Sequence, residues 1–133
     1  MASTIKLELV TPERLLVSEE VDEVIAPGYE GEFGVLPAHT QFLVTLRIGV
    51  LRYRKGDRVW KIAMGGGFAE VTPDRVVVMA DVAEKAEEID VERARRARDR
   101  AESALKDLVM DDAEFRKMNA ALQRSIARMS AAE

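Results

Sequence analysis

Glycine and proline divide this chain into two regions of different character. All eight glycines and all four prolines lie before residue 84, and residues 84–133 contain neither. Glycine and proline mark turns and interrupt helices, whereas the second region is rich in Ala, Arg, Glu and Met, which favour helix. The distribution predicts strands and turns over residues 1–84 and helix over residues 85–133.

Short apolar runs that are typical of β-strands fill the first region. In the first run Ile5, Leu7 and Leu9 alternate with polar residues. Further strands are predicted at residues 15–17, 21–26, 42–46, 48–54, 59–63, 68–71 and 75–80. Many short strands at this spacing, with no room for helices between them, predict an antiparallel sandwich or barrel.

The second region carries apolar side chains at helical spacing in two segments. The predicted stripes are Ala94, Ala97, Ala101, Ala104, Leu105 and Leu108 in the first segment, and Phe115, Met118, Leu122, Ile126 and Met129 in the second. Asp90 and Asp111 are suitable N-caps, and a break is predicted at residues 109–112. The result is an antiparallel helical hairpin. Its short, alanine-rich helices bury little area, so we expect it to detach from the sandwich at modest cost.

Charge and residue usage exclude several classes of function. The net charge is −4, with 20 Lys and Arg against 24 Asp and Glu, so binding to nucleic acid is not expected. The chain has no Cys and one His, which excludes a disulfide scaffold, a thiolate nucleophile and a multi-histidine metal cage. No apolar run approaches the ~18 residues of a membrane-spanning helix, and the N-terminal residues do not resemble an export signal.

Residues 27–40 form the densest unusual segment, with three glycines and two prolines. A shaped loop between strands is one interpretation, and an exposed interaction loop is a second. A third pairs Glu30 or Glu32 with His39 as the acid and base of a small hydrolase, which predicts that His39→Ala abolishes activity. A glycine triplet at residues 65–67 is not a phosphate loop, because no Lys-Ser/Thr follows it, and it predicts a close backbone approach within the sheet.

Basic side chains cluster on both predicted helices. They are Arg93, Arg96 and Arg100 on the first helix and Lys117, Arg124 and Arg128 on the second. A solvated charged surface is one explanation. An anion site is the other, because clustered guanidinium groups repel one another until a phosphate or an acidic partner pairs with them.

Three strings make this sequence resemble the epsilon subunits of bacterial F-type ATP synthase. They are Gly-x-Glu-Gly-Glu-Phe-Gly-Val-Leu-Pro-x-His at residues 28–39, Gly-Gly-Phe-Ala-Glu-Val at residues 66–71 and Ile-Asp-x-x-Arg-Ala at residues 89–94. The resemblance covers essentially the whole chain. It implies a flattened ten-stranded antiparallel β-sandwich over residues 1–84, followed by a regulatory helical hairpin over residues 85–133.

The resemblance also implies a non-catalytic role in the rotor of the synthase. The sandwich would bind the gamma subunit and the c-subunit ring, through Glu30, Gly31, Glu32 and His39. The helices would fold down on the sandwich or extend along gamma between the alpha and beta subunits and block ATP hydrolysis. In the extended form Lys117, Arg124 and Arg128 would meet acidic segments of beta. The subunit would lie peripherally at the cytoplasmic face of the bacterial inner membrane and couple proton flow to ATP synthesis.

No cofactor is required by this resemblance, but a regulatory ATP is possible. In some members the Ile-Asp-x-x-Arg-Ala string binds ATP when the hairpin is folded down. The matching residues in this chain are Glu84, Ile89, Asp90, Arg93, Ala94, Arg100, Arg124 and Arg128. Bound ATP would stabilise the compact form by mass action and relieve inhibition.

A free-standing β-sandwich that binds a ligand and dimerises through its helical hairpin is the alternative from another functional class. It predicts a stable homodimer with no affinity for gamma. Neither this alternative nor the small hydrolase explains all three strings.

Overall fold

The computed structural model describes residues 4–106 and 111–133. Eight strands lead into a short 3-10 turn and two helices. The strands are β1 (Ile5–Val10), β2 (Leu15–Val21), β3 (Glu23–Gly28), β4 (Gly31–Val35), β5 (Phe42–Lys55), β6 (Arg58–Thr72), β7 (Arg75–Ala80) and β8 (Ala83–Lys85). The 3-10 turn is Ala86–Glu88, and the helices are α1 (Val91–Leu105) and α2 (Asp112–Ala131).

The strands form one hydrogen-bonded sheet that folds over on itself. Its order is β2-β1-β7-β6-β5-β3-β4, and β8 pairs with β6. β2 nevertheless contacts β5, although three strands lie between them in this order, so the two ends of the sheet form facing layers. The pairs are antiparallel as predicted except for β1 and β7, which are parallel.

The described residues form eight strands, two fewer than the ten expected. The predicted strands at 42–46 and 48–54 are one strand, β5, and those at 59–63 and 68–71 are one strand, β6. In the β5–β6 ladder, Leu46 pairs with Gly67 and Ile48 pairs with Gly65. Arg47 and Gly66, which lie between these two pairs, are not paired with each other, so the ladder is interrupted there. If β5 and β6 are each divided at this interruption, the count becomes ten.

The glycine triplet lies at this interruption. Gly66 and Gly67 have φ values of +103° and +146°, which side chains other than glycine rarely adopt. A Cβ on Gly67 would lie 2.1 Å from the carbonyl oxygen of Met79. The predicted close backbone approach is confirmed.

The core of the sandwich is built entirely from strand residues. Twenty buried residues form it, and none of them belongs to α1 or α2. The alternation predicted for the first strand is confirmed, because Ile5, Leu7 and Leu9 are all fully buried. The sandwich therefore has a complete core without the helices.

The hairpin docks on the sheet mainly through α2, which contacts β5 and β6, while α1 packs on α2. The buried part of this interface consists of Ala63 from β6 and Ala127 and Ala131 from α2. Ile48, Val50 and Ile89 pack around them. No helix in the described residues is long and apolar enough to cross a membrane.

The predicted caps and most of the first stripe are confirmed, but the second stripe was partly wrong. Asp90 and Asp111 accept hydrogen bonds from the backbone N–H groups of Arg93 and Glu114. Phe115 and Ile126 are about half exposed, whereas Ser125, Ala127 and Ala131 of α2 are buried. Small side chains let a helix approach a sheet closely, which periodicity alone does not reveal. Leu108 and residues 109–110 of the predicted break lie outside the described residues.

Candidate functional site

Most of the residues singled out in the sequence lie on two surfaces. The first is the β3–β4 groove, an open cavity of about 750 Å³ lined by residues 28–34, His39 and residues 42–45. All four predicted rotor-contact residues, Glu30, Gly31, Glu32 and His39, line this groove. The segment predicted as a loop contains the short strand β4, so it is a hairpin with a rigid frame.

Hydrogen bonds fix the tip of the β3–β4 hairpin on β5. The backbone N–H of Tyr29 donates to the carbonyl oxygen of Thr45 at 2.9 Å. Nε of Arg47 donates to the carbonyl oxygen of Gly28 at 3.1 Å. A Cβ on Gly28 would lie 2.7 Å from the carbonyl oxygen of Gly31, so the tip is too tight for another residue at position 28.

The two carboxylates of the groove have different surroundings. Glu32 accepts a hydrogen bond from Nη2 of Arg52 at 3.1 Å, which ties β4 to β5. Glu30 is exposed and makes no ion pair within residues 4–106 and 111–133. Tyr29 beside it is 75% exposed. The tip therefore presents an aromatic ring and one carboxylate to solvent.

His39 closes the other side of the groove. Its ring packs on Phe42 with the centroids 5.1 Å apart, and Phe42 meets Phe33 edge-on at 5.5 Å. Nδ1 of His39 donates to the carbonyl oxygen of Thr40 at 2.9 Å. No hydrogen bond joins His39 to Glu30 or Glu32 in the described part of the chain, so the acid–base pair of a hydrolase is not assembled.

The second surface is the root cavity, where the hairpin leaves the sheet. It has a volume of about 190 Å³ and is lined by Glu84, Glu88, Asp90, Arg93, Ala94 and Arg128. Five of the eight residues predicted to bind ATP therefore come together here. β8 contributes Glu84, the start of α1 contributes three of them, and α2 contributes Arg128.

An ion pair spans the root cavity. Nε of Arg128 donates to Oε1 of Glu84 at 2.6 Å. The two side chains are 33% and 30% exposed, so the pair is partly shielded from water. A charge-assisted hydrogen bond of this length is among the stronger polar contacts in a protein.

Of the other predicted ATP residues, two lie close to the root cavity and one does not. Arg124 lines a narrow neighbouring cavity together with Glu84 and Arg128. Ile89 packs against the alanines of the helix–sheet interface. Arg100 is exposed and does not line the root cavity. It lies about 10 Å further along α1 than Arg93, at 1.5 Å per residue.

Lys117 is separated from Arg124 and Arg128 on α2. It is exposed and lies about 16 Å from Arg128 along the helix axis. In the docked hairpin Lys117 and Arg128 therefore do not form one basic patch.

Glu88 is a residue of the root cavity that the sequence did not reveal. Its carboxylate accepts hydrogen bonds from the Lys85 backbone N–H at 3.0 Å and from Nη2 of Arg14 at 3.0 Å. Partial burial raises the pKa of Glu88, but the Lys85 and Arg14 hydrogen bonds outweigh it and hold the pKa below its ordinary value. Arg14 precedes Glu88 by 74 residues, so no local pattern could have indicated the pair.

Comparison with known families and proteins assigns both halves of the chain. The β-sandwich domain of the ATP synthase delta/epsilon chain matches residues 4–86, and the long α-helix domain of the same chain matches residues 87–133. The sequence is 55% identical to the ATP synthase epsilon chain of Syntrophobacter fumaroxidans, over 100% of this chain and 98% of that protein. It is 48% identical to the epsilon chain of Geobacter sulfurreducens, over 99% of this chain and 96% of that protein.

Two solved structures are similar over nearly the whole chain. One is a subunit in the cryo-EM structure of the Euglena gracilis mitochondrial ATP synthase OSCP/F1/c-ring assembly, with a TM-score of 0.86 and 26% identity. That likeness covers 100% of this chain and 84% of the other. The second is in the structure of the central stalk and c-ring of the Tetrahymena thermophila mitochondrial ATP synthase, with a TM-score of 0.64 and 14% identity. This likeness covers 97% of this chain and 96% of the other, and at that identity it shows the fold alone.

Proposed function

This chain belongs to the ATP synthase delta/epsilon chain family, and from that membership we propose that it works as the non-catalytic epsilon-type subunit of a bacterial synthase rotor. The observation that carries the proposal is the match of both domains, in order and over the whole chain, to epsilon chains at 48–55% identity. Catalysis of phosphoryl transfer belongs to other subunits of the complex.

The β3–β4 groove is the proposed contact with the other subunits of the rotor. Its hairpin is held rigidly on β5, and its tip exposes Tyr29 and Glu30. A fixed carboxylate beside an aromatic ring suits a partner loop with basic and polar side chains, and such rim charges select the partner and its orientation. We assign this contact to the c-subunit ring, and the neighbouring His39 side of the groove to gamma. Glu32 lines the same groove with its side chain 48% exposed, so it would also face the partner while its ion pair with Arg52 holds it in place.

The helical hairpin is the proposed inhibitory element. It adds no residue to the sandwich core, and its own seat on the sheet is small. Two arrangements of such an element can differ little in free energy, so partner contacts are sufficient to select one of them. In the extended arrangement Lys117, Arg124 and Arg128 would reach acidic segments of beta, and hydrolysis would be blocked.

The root cavity is the proposed site of a regulatory ATP. Arg93, Arg124 and Arg128 lie in or beside it, and guanidinium groups bind phosphate oxygens in bidentate geometry. At about 190 Å³ the cavity is smaller than the range typical of ligand pockets, so ATP would have to widen it. Because the site joins both helices to β8, ATP bound there would favour the docked hairpin.

The subunit would act at the cytoplasmic face of the bacterial inner membrane, attached through the other subunits of the complex.

Reconstitution of a synthase that lacks its epsilon chain tests this function. The full chain is compared with a chain that ends at residue 89, which keeps β8, the 3-10 turn and the Arg14–Glu88 pair. Both forms are expected to bind gamma, since the sandwich core is complete without the helices, and only the full chain is expected to inhibit ATP hydrolysis. A full chain with the exposed substitution Ser103→Ala serves as the control. Equal inhibition by the shortened chain would contradict the proposed role of the hairpin.

A further inference from the structure

We propose that Glu84 is a built-in competitor for the anionic ligand of Arg128. In the chain without nucleotide, the Glu84–Arg128 ion pair clasps the hairpin to the sheet, and a phosphate group that binds Nε of Arg128 must displace the Glu84 carboxylate. This inference rests on the ATP site proposed above and changes the role of one of its residues, from a ligand of ATP to a group that ATP must displace.

The position of the pair makes it a clasp between the two regions of the molecule. Glu84 lies on the last strand and Arg128 near the end of the last helix, 44 residues apart. Among residues 4–106 and 111–133, this is the one ion pair that joins α1 or α2 to a strand.

Little else holds the two regions together. The buried apolar contact consists of three alanines, with a few partly buried neighbours. A second polar contact is long, since Nζ of Lys61 donates to the carbonyl oxygen of Glu133 at 3.3 Å. Within the described residues, the Glu84–Arg128 ion pair is therefore the short polar contact between the hairpin and the sheet.

The same contact occupies one of the N–H donors that Arg128 could offer to a phosphate, and it holds the Glu84 carboxylate, which repels an anion, beside the guanidinium group. Nε of Arg128 already donates to Glu84 inside a cavity of about 190 Å³. The other two carboxylates of the cavity have partners elsewhere, because Glu88 pairs with Arg14 and Asp90 caps the Arg93 backbone N–H. Glu84 is therefore the carboxylate that competes with an incoming anion.

Inorganic tripolyphosphate, an anion without a nucleobase or ribose, shows whether Glu84 competes with the phosphates or binds the nucleotide. If Glu84 served as a ligand of the ATP base or ribose, Glu84→Gln would weaken ATP binding and leave inorganic tripolyphosphate unaffected. If Glu84 competes for Arg128, the same substitution strengthens the binding of tripolyphosphate. Gln retains the size of the side chain and removes its charge.

The first measurement is calorimetric titration of the full chain with tripolyphosphate and with ATP at low salt. Glu84→Gln is expected to tighten tripolyphosphate binding on the order of two- to five-fold, the range of a partly exposed ion pair. Glu88→Gln is the matched control, because it removes the same charge from the same cavity without touching Arg128, and it is expected to have a smaller effect. Because only the docked hairpin forms the site, each apparent association constant is divided by the fraction of docked protein, which the second measurement gives. Binding of tripolyphosphate by Glu84→Gln that is no tighter than wild type overturns the proposal.

The second measurement follows the hairpin itself without any ligand. The chain has no Cys, so spin labels attach only to the introduced pair Val59→Cys and Gln123→Cys, both at exposed positions on the sheet and on α2. Double electron–electron resonance is expected to show a two- to five-fold larger undocked population in Glu84→Gln and in Arg128→Gln, with no further increase in the double variant. An unchanged distance distribution in both single variants overturns the clasp. If neither the wild type nor Glu84→Gln binds tripolyphosphate or ATP, the proposed ATP site and the competition of Glu84 with an anion are both wrong. The role of the Glu84–Arg128 pair as a clasp is then tested by the spin-label distances alone.

Discussion

The sandwich and the helical hairpin are held by very different amounts of buried apolar surface. The sandwich has a core of twenty buried residues, including fully buried Leu7, Leu51 and Ile62. The buried apolar contact between hairpin and sheet consists of three alanines with partly buried neighbours, beside one short ion pair. Because apolar burial stabilises in proportion to area, we expect the second region to detach more easily than the first unfolds. The difference lies in the size of the side chains at each interface, not in the quality of the helices, since both have side-chain N-caps.

A cavity in the sandwich core is expected to give the largest effect. Leu51→Ala removes a fully buried side chain and is expected to lower the free energy of unfolding by about 2–5 kcal/mol. Ile126→Ala on α2 is the control, because Ile126 is 43% exposed and its loss leaves no enclosed cavity. Denaturant unfolding of the two variants measures the difference. Equal losses would mean that the hairpin is part of the same core.

Overpacking the seat of the hairpin is expected to give an intermediate effect confined to one region. Ala127→Leu places three extra carbons in the contact with Ala63, which is expected to disfavour docking by about 1–3 kcal/mol. Ala113→Leu makes the same change at an exposed position of α2 and is expected to leave docking unchanged. NMR shifts at Ile48 and Val50 report docking, and those of the sandwich core report its integrity. Loss of sandwich signals in Ala127→Leu would contradict the separation of the two regions.

The connection between the two regions is expected to give the smallest effect, and one that depends on pH. The folded pKa of Glu88 lies below its ordinary value of 4.5, because the Lys85 and Arg14 hydrogen bonds outweigh its partial burial. Its contribution is therefore fully present above pH 4.5 and is lost as the pH falls through the folded pKa. Glu88→Gln is expected to be less stable than wild type by under about 1 kcal/mol at neutral pH, and this deficit is expected to shrink as the pH falls through the folded pKa of Glu88. Thermal unfolding of the two proteins across this range measures the difference. A deficit that persists at low pH would show that the side chain acts by packing instead.

The types of the elements and their order could be predicted from sequence because they depend on local pattern. Alternation identified β1, and glycine and proline usage indicated strands first and helices after them. The strand count was wrong because β5 and β6 continue through an irregularity that local patterns show as two separate runs. Phe115 and Ile126 were wrongly expected inside, because a close helix–sheet contact selects alanine over larger apolar residues.

Many residues of the two candidate surfaces could be named from sequence, but Glu88 was missed and the pairing within each surface could not be predicted. The string at residues 28–39 indicated an interaction segment, but the Arg52 contact that separates Glu32 from Glu30 comes from another strand. In the same way, the resemblance indicated Glu84 and Arg128 as ligands of one anion, whereas the structure pairs them with each other. Contacts between residues 20 or 44 positions apart depend on the tertiary fold, which periodicity and spacing do not report.

Hydrogen exchange of the full chain under native conditions tests the separation of the two regions most directly. Amides of β1, β6 and β7 are expected to exchange only through global unfolding. Those of α1 and α2 are expected to exchange faster, through a local opening that leaves the sandwich folded. A single opening free energy shared by strands and helices, with the same dependence on denaturant, would contradict the account.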